Sequence, residues 1–374
     1  MDFLDSAEEA AFRREFGEWL ESNRPADPIP HDDDERDAFF AAWHRKLYEA
    51  GWFGGTFPKE YGGADRDAGF DAIFNDVLAT SGAPPILPVA HLARAILFFG
   101  DEEQKKAWIK KILSTEERWC QGFSEPEAGS DLASLRTRAV EDGEEWVIDG
   151  QKVWTSHAVW AQYCMVLART DPDLPKHKGI SVFAVPTDAP GVSVRPLVQS
   201  TGDHEFAEVF LEGVRVPRSA MIGDRGQGWE MAMTAINFER GPADVGHLGR
   251  YEGEIRELIA ATREGKLSPG AAVEDELIAT FVQVEVLRHH VRRSLDRRRE
   301  TGPGPAGSVD KLLMVETEQM IGHLADDLVG AGLWTGEQPE WLRTYLYSRG
   351  ASLMGGTDEI QRTTIAQRLL GLPR

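Results

Sequence analysis

Cysteine is almost absent from this chain: Cys120 and Cys164 are the only two in 374 residues. They carry no metal spacing and are too few for a disulfide framework, which points to a reducing compartment. Long apolar runs are missing too. None approaches the roughly 18 residues that span a bilayer. The opening stretch MDFLDSAEEAAF has neither a basic n-region nor an apolar core, so it does not read as a secretory signal. Positive charge is in short supply. Lys and Arg number 41 against 62 Asp and Glu, a formal net charge of −21. A chain this acidic is a poor partner for DNA, RNA or an anionic membrane surface. No zinc or calcium motif is present, so no metal is expected. These absences predict a soluble cytoplasmic protein.

What is present is an ordinary globular composition, 41% hydrophobic, in a chain long enough for two or three cores. Three zones follow one another. The first, to about residue 115, is helical: Ala11, Phe12, Phe16, Trp19 and Leu20 recur at helical spacing over 7–20. Phe39, Phe40, Trp43 and Leu47 do the same over 37–50, up to Gly51. A turn-rich FPKEYGGAD (57–65) precedes further helical stretches near 68–80, 86–99 and 101–113. The second zone, 116 to about 222, holds short β-prone runs (WVID, CMVLART, ISVFAVP, VSVRPLV, EVFLEGVRVP) punctuated by Gly, Pro and Asp, as in a small antiparallel sheet or barrel. The third returns to helix. Val273, Leu277, Phe281, Val284, Leu287, Val291 and Leu295 step along one face, and Leu312, Leu313, Met320, Leu324 and Leu328 along another. GPGPAG (302–307) is read as the loop between these two helices.

Five motifs stand in a fixed order: FPKEYGG (57–63), SEPEAGSD (124–131), GQKVWTS (150–156), VRVP (214–217) with IGDRGQGW (222–229), and GGTDEIQR (355–362). Together they resemble the acyl-CoA dehydrogenase family over essentially the whole chain. FERG (238–241) and the ending RLLGLPR are most similar to actinobacterial members, some of which degrade steroid side chains and rings. The resemblance implies a mostly α, α+β fold of three domains: an N-terminal helical domain (1–117), a middle β-barrel (118–222) and a C-terminal four-helix bundle (223–374). It also implies FAD as cofactor, an acyl-CoA substrate, electron-transfer flavoprotein as acceptor, and a homodimer or homotetramer.

Placing a double bond α,β to a thioester needs a carboxylate at the α-carbon, donors at the thioester oxygen and a flavin against the β-carbon. Many members of the family carry the base immediately before the Gly-Thr of the closing signature. Here that position is Gly355, which cannot act. Others place a Glu before an Arg on another helix, and the pair Glu239-Arg240 matches them. Glu239 is therefore read as the base, with a surface carboxylate in an ion pair as the plainer alternative. Arg240 and Ser130 are assigned to the substrate. Gly355 is read as offering its N–H to the thioester oxygen. Phe123, Ser124, Gly129, Ser130, Trp154, Thr155, Ser156, Thr357 and Glu359 match flavin-contacting positions. Gly129 is read as allowing a tight turn, Ser130 and neighbouring N–H groups as an anion cradle, and Ser156 as the hydroxyl near flavin N5. Thr357 also reads as an N-cap with Asp358 and Glu359 in the first turn. The plainer readings are a polar hairpin loop, barrel core for Trp154, a strand-end serine, and a simple helix cap.

Two departures matter. The Arg-x-x-Phe-Gly stretch that reaches a neighbouring subunit's FAD in many relatives is missing from TREGKLSPGAAVEDEL, and DDLVGAGLWTG stands where Gln-x-x-Gly-Gly-x-Gly is usual. This keeps open a heteromer in which the chain is a partner subunit, beside a flavin oxidase or monooxygenase on the same fold. The basic run RHHVRRSLDRRR (288–299) is read as solvated charge complementing a helix C-terminus.

Overall fold

The computed structural model describes residues 5–239, 242–267, 270–302 and 304–373, with only the backbone at 242–245, 271 and 299. The helices α1 (Ala7–Asn23), α2 (Asp33–Glu49), α3 (Gly69–Thr80), α4 (Ala90–Phe99) and α5 (Glu102–Leu113) come first. Strands β1 (Trp119–Gly122), β2 (Arg138–Asp142), β3 (Glu145–Ser156), β4 (Tyr163–Arg169), β5 (Ile180–Pro186), β6 (Val192–Leu197), β7 (Phe206–Pro217) and β8 (Met221–Ile222) follow. Then come α6 (Gly228–Glu239), α7 (Pro242–Arg263), α8 (Ala271–Thr301), α9 (Gly307–Val329), α10 (Ala331–Trp334), α11 (Pro339–Ala351) and α12 (Asp358–Thr364).

Local chemistry sets the helix starts. Ser6 and Glu9 close a capping box on α1, and Asp101 and Gln104 close one on α5. The Gln104 side chain also donates to the carbonyls of Ser219 and Met221, so a cap doubles as a tie to the end of the strand region. Helix α2 begins four residues earlier than its apolar pattern suggests. Asp32 caps the amides of Asp34 and Glu35, and three acids fill the first turn. Helix α4 starts only at Ala90, because Pro88 disfavours helix at the residue before it.

The chain forms two compact units. One comprises residues 27–66 and 86–239; the other comprises 1–26, 67–85 and 240–374. In the first unit the eight strands form one sheet in the order β6-β7-β3-β2-β4-β5-β8, with β1 parallel to β4. Two of its strands are buried on both faces. Cys164, Val166, Ala168, Phe183 and Val185 point into a core that the sheet curls around, shared with Ile148, Val209, Leu211 and Val214. Met165, Leu167, Ile180, Val182 and Ala184 point the other way, against Leu92, Ile96, Ile109 and Ile112 of α4 and α5 and Met231, Ala232 and Ala235 of α6. This explains why ISVFAVP reads as a continuous apolar run rather than an alternating one. The first turn of α2 is pinned to the loops of the sheet: Trp160 donates to Asp34 at 2.7 Å, His204 pairs with Asp33 at 2.5 Å, and Arg118 pairs with Asp37.

In the second unit α3 packs on α7, where Gly249 leaves no room for a Cβ beside Ala79. Leu248, Tyr251, Ile255, Leu258, Val284, Leu287, Val291, Ile321, Leu324 and Leu328 build the core of α7, α8 and α9. Phe281 departs from the expected pattern. It lies with Ile278, Val282 and Val286 on an exposed apolar face of α8. The basic run of α8 also differs from expectation, because part of it turns inward. Arg288 pairs with Glu252 of α7 at 2.7 Å, and His290, Ser294 and Arg298 converge on Asp310 of α9. Asp310 is buried; burial alone would raise its carboxyl, but these three partners hold it below its ordinary range.

Candidate active site

Strand β1 runs out at Gly122, and the chain turns sharply over Glu125-Pro126-Glu127-Ala128. The Glu125 and Ala128 backbones bond to each other at 3.1 and 3.0 Å, with Pro126 at the turn's second position. The tight turn therefore falls just before Gly129. Gly129 itself does not have a positive φ, and a Cβ there would meet no atom within 4 Å, so its backbone is open to close approach. Ser130 beside it is exposed. The neighbouring Asp131 is drawn to Lys176 at 2.6 Å and kept below its ordinary carboxyl range by that bond.

Strand β3 brings the second motif alongside. Its ladder with β7 skips between Lys152↔Val209 and Thr155↔Ala207, so Val153 and Trp154 together face only Glu208. This is a β-bulge, a device that re-aims side chains at functional sites. Trp154 adopts a left-handed φ of 58° and its indole is 62% exposed, not barrel core. The Val153 amide turns to donate to the Ser124 carbonyl at 2.9 Å. Ser156 ends the strand, half-buried, opposite Phe206. Thr155 points inward, and its hydroxyl finds no hydrogen-bond partner among the described residues. Phe123 is buried in the core between sheet and helices, and its carbonyl accepts a hydrogen bond from within the unit.

Sequence reasoning missed the groups that fasten these two loops. Lys152 has a fully buried side chain, and its ammonium donates to Glu125 at 2.8 Å and to the Phe123 carbonyl at 3.1 Å. Glu125 also accepts from the amides of Arg136 at 2.6 Å and Thr137 at 2.9 Å. Burial pulls the Lys152 ammonium below its ordinary pKa against the opposing charge of Glu125. Burial would raise the Glu125 carboxyl, but the Lys152 charge and the hydrogen bonds outweigh it and leave it lowered. Gly150 completes the fit, since a Cβ there would lie 2.7 Å from the Thr137 Cα. The only hint in the sequence was a lysine between strand residues.

Glu239 closes α6 in the same unit. Gly228 opens that helix against the Ile180 backbone, and Met231, Ala232 and Ala235 bury one face. Phe238 stacks on Phe98 at 5.4 Å, with the Arg94 guanidinium 5.8 Å from its ring. Glu239 is exposed, and among the described residues no ion pair holds its carboxylate. A carboxylate in a last helical turn faces the negative end of the helix dipole, where the charge is disfavoured. Arg240 lies outside the described residues.

The closing signature belongs to the other unit. Gly355 and Gly356 have φ of 63° and 90°, a left-handed turn that explains the two glycines. Thr357 caps α12 by accepting from the Ile360 amide at 3.3 Å. Gln361 donates back to the Gly355 and Gly356 carbonyls, and Lys311 pairs with Asp358 at 2.8 Å. Glu359 is exposed, its carboxyl lowered by hydrogen bonds to its own amide and to Thr357. The structure thus brings Phe123, Ser124, Gly129 and Ser130 into the same unit as Trp154, Thr155 and Ser156, and places Gly355, Thr357 and Glu359 in the other.

The chain matches the acyl-CoA dehydrogenase N-terminal domain over residues 6–116, the middle domain over 120–214 and the C-terminal domain over 226–370. It is 38% identical over 341 residues to the acyl-CoA dehydrogenase IpdE1 of Mycobacterium tuberculosis, covering 89% of this chain and 88% of that protein. The chain belongs to the acyl-CoA dehydrogenase family. Two solved structures are similar to this acyl-CoA dehydrogenase along its length. The Tcur3481-Tcur3483 steroid ACAD matches at 30% identity and a TM-score of 0.85, covering 100% of both chains. The ChsE4-ChsE5 complex from Mycobacterium tuberculosis matches at 29% identity and a TM-score of 0.82, again covering 100% of both. The expected α+β architecture and oxidoreductase class both hold.

The family is one of flavoproteins, and the residues on β3 and the 124–131 turn fit an isoalloxazine group. An exposed indole, a half-buried hydroxyl and open backbone at Gly129 stand together in one unit. Among the described residues no group of His, Cys, Asp and Glu is arranged to hold a metal ion, and no helix is long and apolar enough to cross a membrane.

Proposed function

We propose that this acyl-CoA dehydrogenase desaturates the α,β bond of a ring-bearing acyl-CoA, with Glu239 as the base and FAD as the cofactor. The observation that carries the reading is the paired state of the two base positions. Glu239 stands exposed at the end of α6, outside any ion pair among the described residues, while Gly355 occupies the alternative position in a left-handed turn and has no side chain to take a proton. FAD, when bound, supplies the two-electron acceptor for the β-carbon.

The remaining work falls on this chain's side chains and amides. Glu239 takes the α-proton. The Gly355 amide supports the thioester oxygen as it gains negative charge. Trp154, Ser156, the Ser124–Ser130 turn, Thr357 and Glu359 are the residues that would hold the cofactor, with Trp154 packing on its ring and the Ser156 hydroxyl available to donate to it. Arg240 and Ser130 contact the substrate, and electron-transfer flavoprotein reoxidises the enzyme. The ring-bearing substrate is supported by the steroid ACAD, similar over the full chain. A panel of acyl-CoAs tested for anaerobic bleaching of the flavin checks it. Bleaching by steroid-derived thioesters supports the proposal; bleaching by short straight chains alone contradicts it.

A second reading is favoured by one observation. Both similar structures carry two protein names, and TREGKLSPGAAVEDEL in the C-terminal region of this chain lacks the Arg-x-x-Phe-Gly stretch. On that reading the chain acts in a heteromer with a second acyl-CoA dehydrogenase chain. Purification alone and with candidate partners, with FAD counted per chain, separates the two.

A further inference from the structure

Lys152 and Glu125 form a charge pair inside the first unit, with the lysine side chain fully buried and the carboxylate nearly so. Removing two charges from water is costly, and apolar residues of similar volume commonly serve a core as well or better. Packing alone therefore does not explain the pair. Its connections point to a different role. The Lys152 ammonium holds the Phe123 carbonyl and the Glu125 carboxylate, and the next amide, Val153, holds the Ser124 carbonyl. Three consecutive residues of the first loop are thus gripped by two consecutive residues of β3. Glu125 then ties in the entry to β2 through the amides of Arg136 and Thr137. The residue after Val153 is Trp154, turned outward by the bulge.

We infer that Lys152 and Glu125 are positioning residues that lock the 124–131 turn to the Trp154 bulge and so set the geometry of the cofactor site before the cofactor arrives. The inference rests on the reading of these loops as the FAD site. Neither residue is assigned a contact with FAD or substrate. Their effect is transmitted through the Ser124 carbonyl and the Trp154 backbone.

The test separates positioning from simple stability. Lys152→Met leaves Glu125 buried without its counter-charge and is expected to lower the melting temperature of the apoprotein. The double variant Glu125→Gln/Lys152→Met removes both charges and keeps the volume; because Gln offers one acceptor to the two amides of Arg136 and Thr137, its melting temperature is expected to lie above that of Lys152→Met and below that of the wild type. If the pair positions the loops, the double variant still binds FAD at least tenfold more weakly. Its Val153 amide also exchanges with solvent at least tenfold faster, while Val182, on strand β5, is unchanged. A double variant with wild-type FAD affinity and wild-type Val153 exchange overturns the inference. Should the wild-type apoprotein take up no FAD, the cofactor reading fails. The Val153 exchange comparison then decides the tether alone: acceleration supports it and an unchanged rate overturns it.

Discussion

The His44 ring places its Nε2 3.1 Å from the Leu113 carbonyl, inside the first unit and edge-on to Phe53. A carbonyl only accepts, so Nε2 carries the proton. Nδ1 is buried and finds no partner among the described residues. A second proton there would be a buried charge, and burial accordingly pushes the imidazole down from 6.5 to about 4, against the smaller opposing pull of Leu113. The folded state resists protonation that the unfolded chain accepts. Stability from this residue is therefore full above pH 6.5 and is lost as pH falls toward 4. At about 1.4 kcal/mol per unit the loss reaches about 3 kcal/mol. Urea melts of wild type and His44→Gln across that window are expected to differ in slope, with the variant flatter. Parallel pH profiles would refute the account.

Trp154 gives a second expectation. Its side chain is exposed and its φ is left-handed, so Trp154→Gly removes little packing and relieves about 1 kcal/mol or more of backbone strain, against the added chain entropy of glycine. The apoprotein should melt within a few degrees of wild type. FAD binding should weaken about tenfold or more, the scale of a lost aromatic stack. Fluorescence titration of apoprotein with FAD measures this, and unaltered affinity would remove Trp154 from the site.

Much of the fold could be read from periodicity. Strands β4 to β7 announced themselves as β-prone runs, and α1, α3 and α5 fell close to their predicted bounds. Strand β1, WCQG, was too short to show a pattern, and in RAVED of β2 only Ala139 turns to the core. Phe281 followed the helical spacing yet faces outward, because apolar spacing alone does not say whether a stripe is covered within the chain. The 124–131 and 150–156 segments stood out as motifs. The Lys152–Glu125 pair did not, because a buried cation declares itself only when its partner, 27 residues earlier, is brought within 2.8 Å. Of the two proposed base positions, Gly355 sits in a left-handed turn that suits glycine.

The α8 face supplies a third prediction. Ile278, Phe281, Val282 and Val286 are exposed on one long helix in a strongly charged chain. Because large exposed apolar patches are common at association surfaces, we predict that chains associate through this one. Ile278→Glu/Val282→Glu should lower the mass in light scattering toward that of a single chain. Exposed substitutions of this kind usually shift stability by no more than about 0.5 kcal/mol, so the far-ultraviolet circular dichroism should be unchanged. An unaltered mass would place the interface elsewhere.

The most direct measurement of the central claim is flavin reduction by Glu239→Gln. The substitution keeps the size of the side chain and removes its ability to take a proton. Glu239 is exposed at a helix end, so folding and FAD content should stay at wild-type levels, and acyl-CoA should still bind. In anaerobic rapid mixing with a thioester that bleaches the wild type, the variant is predicted to reduce its flavin roughly 10²–10⁴-fold more slowly, the contribution of a positioned general base. Reduction at the wild-type rate would contradict the assignment and move the base away from Glu239.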